Sequence, residues 1–266
     1  MALEISSARN PRLTAAAQLR TRRERDRSGQ ILVEGLREIE RACDAGLRPN
    51  ELFLTADAER SDACVKILRI CADSHADVLI CTPPAFAKLA IRGSAYGVVG
   101  IFPTPNLEIS RLNVTSPSLV VVSEHLEKPG NLGAILRTCD GAGVDAVIVS
   151  DPATDIYNPN VIRASLGTVF TQQVVTMDRA DAIGWLRRND FRIVAASPAG
   201  REKYTDTDYR ANTAIVLGSE ARGLSENWHT DADALVQIPM RGCVDSLNVS
   251  ATAAILLYEA VRQRGL

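Results

Sequence analysis

Short apolar runs alternate with amphipathic stretches along the chain, and their periods separate strands from helices. In the first hundred residues ILVEG (31–35), ELFLT (51–55), DVLIC (77–81) and GVVGIF (97–102) read as strands. LREIERACDAG (36–46), DACVKILRICADS (62–74) and PPAFAKLAI (83–91) read as helices, the first closing at Gly46. Strands spaced by such helices predict a small α/β domain over 1–102. Within it NPRLTAAAQLRTRRERDR (10–27) reads as one helix with a weak apolar face of Leu13, Ala16, Ala17 and Leu19. Residues 103–116 hold two prolines and no long apolar run, so a linker is expected there.

From 117 the pattern restarts. LVVVS (119–123), AVIVS (146–150), QVVT (173–176), RIVAAS (192–197), AIVLG (214–218) and ALVQIP (234–239) read as strands. The first is apolar enough to lie buried on both faces of a parallel sheet. NLGAILRTCDGAG (131–143), residues 159–166, ADAIGWLRRND (180–190) and a long run from about Ser246 to Arg264 read as helices. The predicted fold is therefore α/β: a parallel sheet over 117–266 with helices on both faces. In such sheets ligands gather where loops leave the C-terminal strand ends.

Composition narrows the partners. The 266 residues are 46% apolar and 23% charged with a net charge of −2, which excludes bulk disorder and a uniformly basic coat. Charge is instead local. Arg9, Arg12, Arg20, Arg22, Arg23, Arg25 and Arg27 face only Glu4, Glu24 and Asp26 in the first thirty residues. A one-signed excess fits a surface for a polyanion, with a solvated helix as the plain alternative. No apolar stretch is long enough for a membrane span, and MALEISSARNPR lacks an apolar signal core, so a cytoplasmic location is expected. Cys43, Cys64, Cys71, Cys81, Cys139 and Cys243 form no C-x-x-C pair, and His75, His125 and His229 are far apart. Buried thiols and no metal site are expected.

Three loops stand at predicted strand ends. SEHLEKPGNLGAILR (123–137) brings Asn131, a possible helix cap, and Arg137. VLGSEARGLS (216–225) sets Glu220 between Gly218 and Gly223, which permit a tight turn and a close ligand; a helix is expected to start near Leu224. It is not a P-loop, because no Gly-Lys-Ser/Thr follows. IPMRGCVDSLNVS (238–250) presents Met240, Asp245, Ser246, Leu247 and Asn248 before a helix of small residues. Each loop has an ordinary reading as a cap or tight packing.

Together, N-x-G-x-x-x-R (Asn131, Gly133, Arg137), L-G-S-E-x-x-G-L (217–224) and I-P-M…S-L-N-V-S (238–250) resemble the three motifs of the SPOUT superfamily, in its SpoU/TrmH branch of RNA ribose 2′-O-methyltransferases. The likeness covers about 117–264. The region before it looks like the ribosomal-protein-like RNA-binding module fused ahead of such domains, and the whole is similar to ribosomal RNA methyltransferases, antibiotic-resistance members among them. The resemblance implies a deep trefoil knot, S-adenosylmethionine as cofactor, and a homodimer. It implies Ser197, Leu217, Gly218, Ile238, Met240 and Leu247 as cofactor contacts. It implies Arg137, Asn131, Glu220, Ser246 and Asn248 at the reaction, with the three turns meeting in one cavity. NPNVIRASLGTVF (158–170) matches a further segment of this branch and makes Arg163 a second phosphate contact beside Arg137, Arg9, Arg12, Arg20, Arg22 and Arg23. The apolar face of the last helix (Val249, Ala253, Leu256, Leu257, Ala260, Val261) fits either a subunit interface or the core. Ribosomal RNA is the expected substrate. A transfer RNA enzyme of the same fold and a non-catalytic RNA-binding factor stay open; an oxidoreductase loses its support because no G-x-G-x-x-G follows an early strand.

Overall fold

The computed structural model describes residues 3–91, 97–219 and 221–265. In chain order its first half runs β1 (Leu3–Ile5), α1 (Pro11–Gln18), α2 (Arg22–Ser28), β2 (Gln30–Glu34), α3 (Leu36–Asp44), β3 (Glu51–Thr55), α4 (Ala56–Glu59), α5 (Val65–Ser74), β4 (Asp77–Cys81), α6 (Pro83–Phe86) and β5 (Val98–Pro103). The second half runs β6 (Leu119–Glu124), α7 (Pro129–Gly141), β7 (Ala146–Ser150), α8 (Pro159–Ala164), α9 (Thr168–Thr171), β8 (Val174–Met177), α10 (Arg179–Arg188), β9 (Arg192–Ala196), β10 (Glu202–Lys203), β11 (Thr213–Leu217), α11 (Glu226–Asp231), β12 (Ala234–Gln237) and α12 (Val249–Arg264).

The chain forms two compact units. The first is Met1–Asn106 with Tyr157–Thr171; the second is Leu107–Ile156 with Gln172–Leu266. The division differs from the sequence expectation in two places. Residues 157–171, expected with the second domain, complete the first unit: α8 packs on β2 and α9 on α3. The Arg41 guanidinium donates to the Leu166 carbonyl (2.5 Å). Gly167, at φ +83°, comes so close that a β-carbon there would lie 3.0 Å from the Glu38 Cα. Only glycine meets both demands without strain. The expected linker is divided at Asn106, and Leu107 already accepts a hydrogen bond from Thr176 N–H beside β8.

The first unit is a mixed sheet in the order β1-β4-β3-β5-β2, with β5 antiparallel to both neighbours. The single helix expected over 10–27 is two. Thr21 is extended (φ −92°, ψ 139°), and the buried Arg25 guanidinium turns back to the Leu19 carbonyl (2.7 Å). That folded-back arginine satisfies an orphan acceptor at the end of α1, and no glycine or proline announces it. The arginine patch shrinks accordingly. Arg12 holds Glu51 (2.5 Å) and Asp77 (2.6 Å), and Arg20 donates to the Lys88 and Ala90 carbonyls. Arg22 lies 3.5 Å from Asp26, and Arg27 pairs with Glu24. Arg9 and Arg23 are exposed.

The second unit is a wholly parallel seven-stranded sheet in the order β10-β12-β9-β11-β6-β7-β8. β6, β7 and β11 are buried along their whole length, as their unbroken apolar runs require. α12 packs on α7. Val249, Ala253, Leu256, Leu257 and Ala260 are buried within the chain, so the face that fitted either role is core. At the end of α12 Arg264 donates to the Tyr209, Ala211 and Ser118 carbonyls, which pins the helix to the entries of β6 and β11. Five cysteines are buried as expected; Cys243, in the polar loop before α12, is exposed. Among the described residues no helix is long and apolar enough to cross a membrane, and no group of three or more His, Cys, Asp or Glu could hold a metal ion.

Candidate active site

Three loops of the second unit leave the C-terminal ends of β9, β11 and β12, neighbours in the sheet. They wall a cavity of about 690 Å³. The loop after β9 is held by Ser197 N–H on the Val236 carbonyl (2.9 Å) and Gly200 N–H on the Ser197 carbonyl (2.9 Å). A β-carbon on Gly200 would lie 2.5 Å from the Val236 carbonyl carbon, so this loop lies against β12.

The loop after β11 is tighter. Ser219 and Gly223 exchange two backbone hydrogen bonds (3.0 and 2.9 Å), and the Ser219 hydroxyl accepts from Arg222 N–H (3.1 Å). Gly223 sits at φ +67°, and a β-carbon on Gly218 would strike Gly223 at 2.3 Å. The two glycines expected to allow a close turn are therefore both required. The far end of the loop is tied to β6: buried Glu124 accepts from Ser225 N–H (2.8 Å) and hydroxyl (2.6 Å). The expected helix start near Leu224 falls at Glu226 instead, after this tether.

The third loop ends at Asn248, the cap of α12. Its Oδ1 accepts from Ser250 N–H (2.9 Å) and hydroxyl (2.7 Å), while its Nδ2 donates to Asn131 Oδ1 (3.2 Å). α12 thus starts at Val249, three residues after the expected start near Ser246. Asn131 does not cap α7, whose cap position is Lys128; it binds Asn248 instead.

The expected residues divide clearly. Ser197, Leu217, Gly218, Ile238, Met240, Ser246, Leu247 and Asn248 all line the one cavity. Asn131 reaches it through Asn248. Arg137 is not in the lining; it is exposed on α7 and makes no hydrogen bond or ion pair among the described residues. Glu220 lies outside the described residues. Arg163 is exposed in the first unit, on α8. Sequence reasoning missed Lys128, Arg222 and His229, which also line the cavity. Arg222 stood inside the second motif and Lys128 in the loop just before the first; His229 carries no local signal, since α11 brings it from outside the motifs.

The lining suits an adenosyl group. Leu217, Ile238 and Leu247 give apolar walls, and Ser197, Ser246 and Asn248 set polar residues beside them, the combination a purine needs. Asp245 and Lys128 offer opposite charges at the same cavity.

Known proteins share this sequence pattern and this fold. The SpoU rRNA Methylase family profile matches residues 118–258, and the MRM3-like substrate binding domain profile matches 10–100. A Streptomyces viridochromogenes protein named 23S rRNA (uridine(2479)-2′-O)-methyltransferase is 31% identical over 93% of this chain and 88% of its own. A crystal structure described as an RNA 2′-O ribose methyltransferase superposes with a TM-score of 0.86 at 35% identity, covering 99% of this chain and all of that one. The SpoU methyltransferase AviRb from Streptomyces viridochromogenes, solved in complex with AdoMet, superposes with a TM-score of 0.87 at 30% identity over 96% of this chain and 98% of its own.

Proposed function

We propose a function from one premise: the chain belongs to the SpoU rRNA methylase family. It transfers a methyl group from S-adenosylmethionine to a ribose 2′-hydroxyl of RNA, with 23S ribosomal RNA as the substrate. One observation carries this reading. The loops after β9, β11 and β12 line a single cavity, and the Asn131–Asn248 hydrogen bond joins the first motif to it. A factor that only bound RNA would have no use for such a cavity.

S-adenosylmethionine, when bound, supplies a methyl group on a positively charged sulfonium. Ser197, Leu217, Gly218, Ile238, Met240 and Leu247 hold it, and Asp245 and Lys128 answer the charges of its amino-acid end. An alcohol is a poor nucleophile until its proton is drawn off or the oxygen is oriented. A guanidinium is not deprotonated in proteins, so Arg137 acts by gripping the phosphate beside the target ribose. Among the described residues Arg137 makes no hydrogen bond or ion pair, which supports that role. Asn131 and Ser246 hydrogen-bond near the 2′-oxygen, Asn248 fixes Asn131, and Glu220 orients Arg137. Arg163 is a second phosphate contact, and Arg9 and Arg23 guide the RNA electrostatically. The protein works in the cytoplasm as a homodimer. With the apolar face of α12 used in the core, a second copy meets the other side of that helix, where Tyr258 is 53% exposed.

A tritiated-methyl assay on transcribed 23S ribosomal RNA, run beside calorimetry of S-adenosylmethionine binding, tests the assignment. Arg137→Ala is expected to abolish transfer with cofactor affinity kept. Full activity in that variant overturns the role of Arg137; a wild-type protein that binds the cofactor yet leaves ribosomal RNA unmethylated overturns the substrate.

A further inference from the structure

A second cavity, of about 280 Å³, adjoins the first. Ser219, Arg222, Gly223 and Leu224 line both. The ends of two neighbouring parallel strands build the rest of it, Glu124 closing β6, His125 just after it and Asp151 just after β7, together with Arg179 and Ser225. None of these side chains belongs to the three motifs' expected machinery.

Two features set this cavity apart. His125 (φ 50°) and Asp151 (φ 46°) both adopt the left-handed backbone region, which His and Asp enter more readily than most side chains. Among the described residues the other non-glycine positions of that kind, His75, Leu166 and Asp190, each follow the end of a helix, where such a conformation is ordinary. His125 and Asp151 instead follow the adjacent strands β6 and β7, so the chain turns at the end of each strand beside the same cavity. The second feature is the mixture of polar groups. Both Glu124 oxygens already accept hydrogen bonds, from Ser225 and from Arg179 Nη1 (3.4 Å). Asp151 is approached by Arg179 only at 3.9 Å, which leaves acceptor capacity. On the donor side Arg179 Nε is buried without a hydrogen-bond partner, and the exposed Arg222 side chain has none among the described residues.

Such interleaved donors and acceptors fit a nucleobase edge, which presents both. A phosphate only accepts, and it would face the carboxylates of Asp151 and Glu124. We propose that the second cavity takes the nucleobase of an RNA nucleotide at the methylation site, with Asp151, Arg179 and Arg222 reading its edge and His125 stacking against it. This makes the cavity the element that chooses which base carries the methylated ribose, and it rests on the function proposed above.

The test uses the full chain with His125→Asn and Asp151→Asn. Asparagine tolerates the left-handed region, so both variants keep the backbone they replace, and a thermal melt verifies it. Methyl transfer to transcribed 23S ribosomal RNA, S-adenosylmethionine affinity and the identity of the methylated nucleotide are measured for each. The expected result is a fall in kcat/KM for RNA of about tenfold or more, with cofactor affinity held within about twofold. Asp151→Asn is further expected to methylate nucleotides carrying more than one base. Unchanged kcat/KM overturns the proposal, as does a matching loss of cofactor affinity, which would make the cavity a prop for the 219–223 loop. Tighter RNA binding by Asp151→Asn with a steeper salt dependence overturns it in favour of a phosphate site. A wild-type protein that binds the cofactor but methylates no ribosomal RNA removes the proposed substrate first, and this inference with it.

Discussion

Glu38 is only 9% exposed on α3, and burial pushes its carboxyl above the ordinary value of 4.5, even with Arg37, Arg41 and Arg163 in range. The folded chain therefore holds that proton more tightly than the unfolded one. The resulting stability is fully present below pH 4.5 and is lost as pH rises through the higher folded value. Above it, a poorly solvated charge remains. Glu38→Gln should therefore melt above the wild type at pH 8, and the gap should close towards pH 4 in a series of thermal melts. Gly218 presents the opposite case, in which the missing side chain matters. A methyl group there meets Gly223 backbone at 2.3 Å, and backbone cannot swing aside like the end of a lysine. Gly218→Ala is expected to cost about 1–3 kcal/mol of stability. Because the same loop walls the first cavity, calorimetry should also find S-adenosylmethionine binding weakened about tenfold or more.

Among the elements, α12 joins stability to chemistry at one residue. Asn248 caps the helix with its oxygen and holds Asn131 with its nitrogen. Asn248→Ala is expected to lose about 1 kcal/mol of stability with the cap and to lose methyl transfer as well. Asn248→Asp keeps an acceptor at the cap, where negative charge suits the helix start, but sets a carboxylate at the cavity that receives RNA. Its melting temperature should hold while transfer fails, so the pair of variants separates the two roles. The elements also show what pattern alone can carry. β6, β7, β8, β9, β11 and β12 follow from apolar runs, because a strand buried on both faces is written in its own residues. β1 and β10 are not: Leu3–Ile5 and Glu202–Lys203 are strands only because β4 and β12 accept them as edge partners. The break after α1 depends on Arg25 reaching a carbonyl six residues back, an event no local periodicity encodes. The same holds for the site. Glycines and small residues in three motifs marked the first cavity, whereas the second is assembled from single polar residues on β6, β7, α10 and the loop after β11.

At the scale of the whole molecule, the distribution of charge decides how RNA is met. Counting arginines along the first thirty residues treats them as equivalent, but pairing divides them. Arg12 is consumed by Glu51 and Asp77, while Arg9 and Arg23 face solvent. Each phosphate contact adds about 0.7–0.9 to the slope of log affinity against log salt. Removing both Arg9 and Arg23 should lower that slope by about 1.4–1.8 without changing which nucleotide is methylated. Arg12→Ala should leave the slope alone and lower the melting temperature; filter binding over a salt series and a thermal melt separate the two. The path of the chain carries a consequence of another kind. The stretch that completes the first unit, 157–171, is made only after β6, α7 and β7 have been made. A protein that emerges from the ribosome amino end first cannot finish its leading half before its trailing half has begun. Neither half can then be cut out at residue 106 and moved as a cassette, and recombination that shuffles domains at that junction would leave α3 and β2 without their cover.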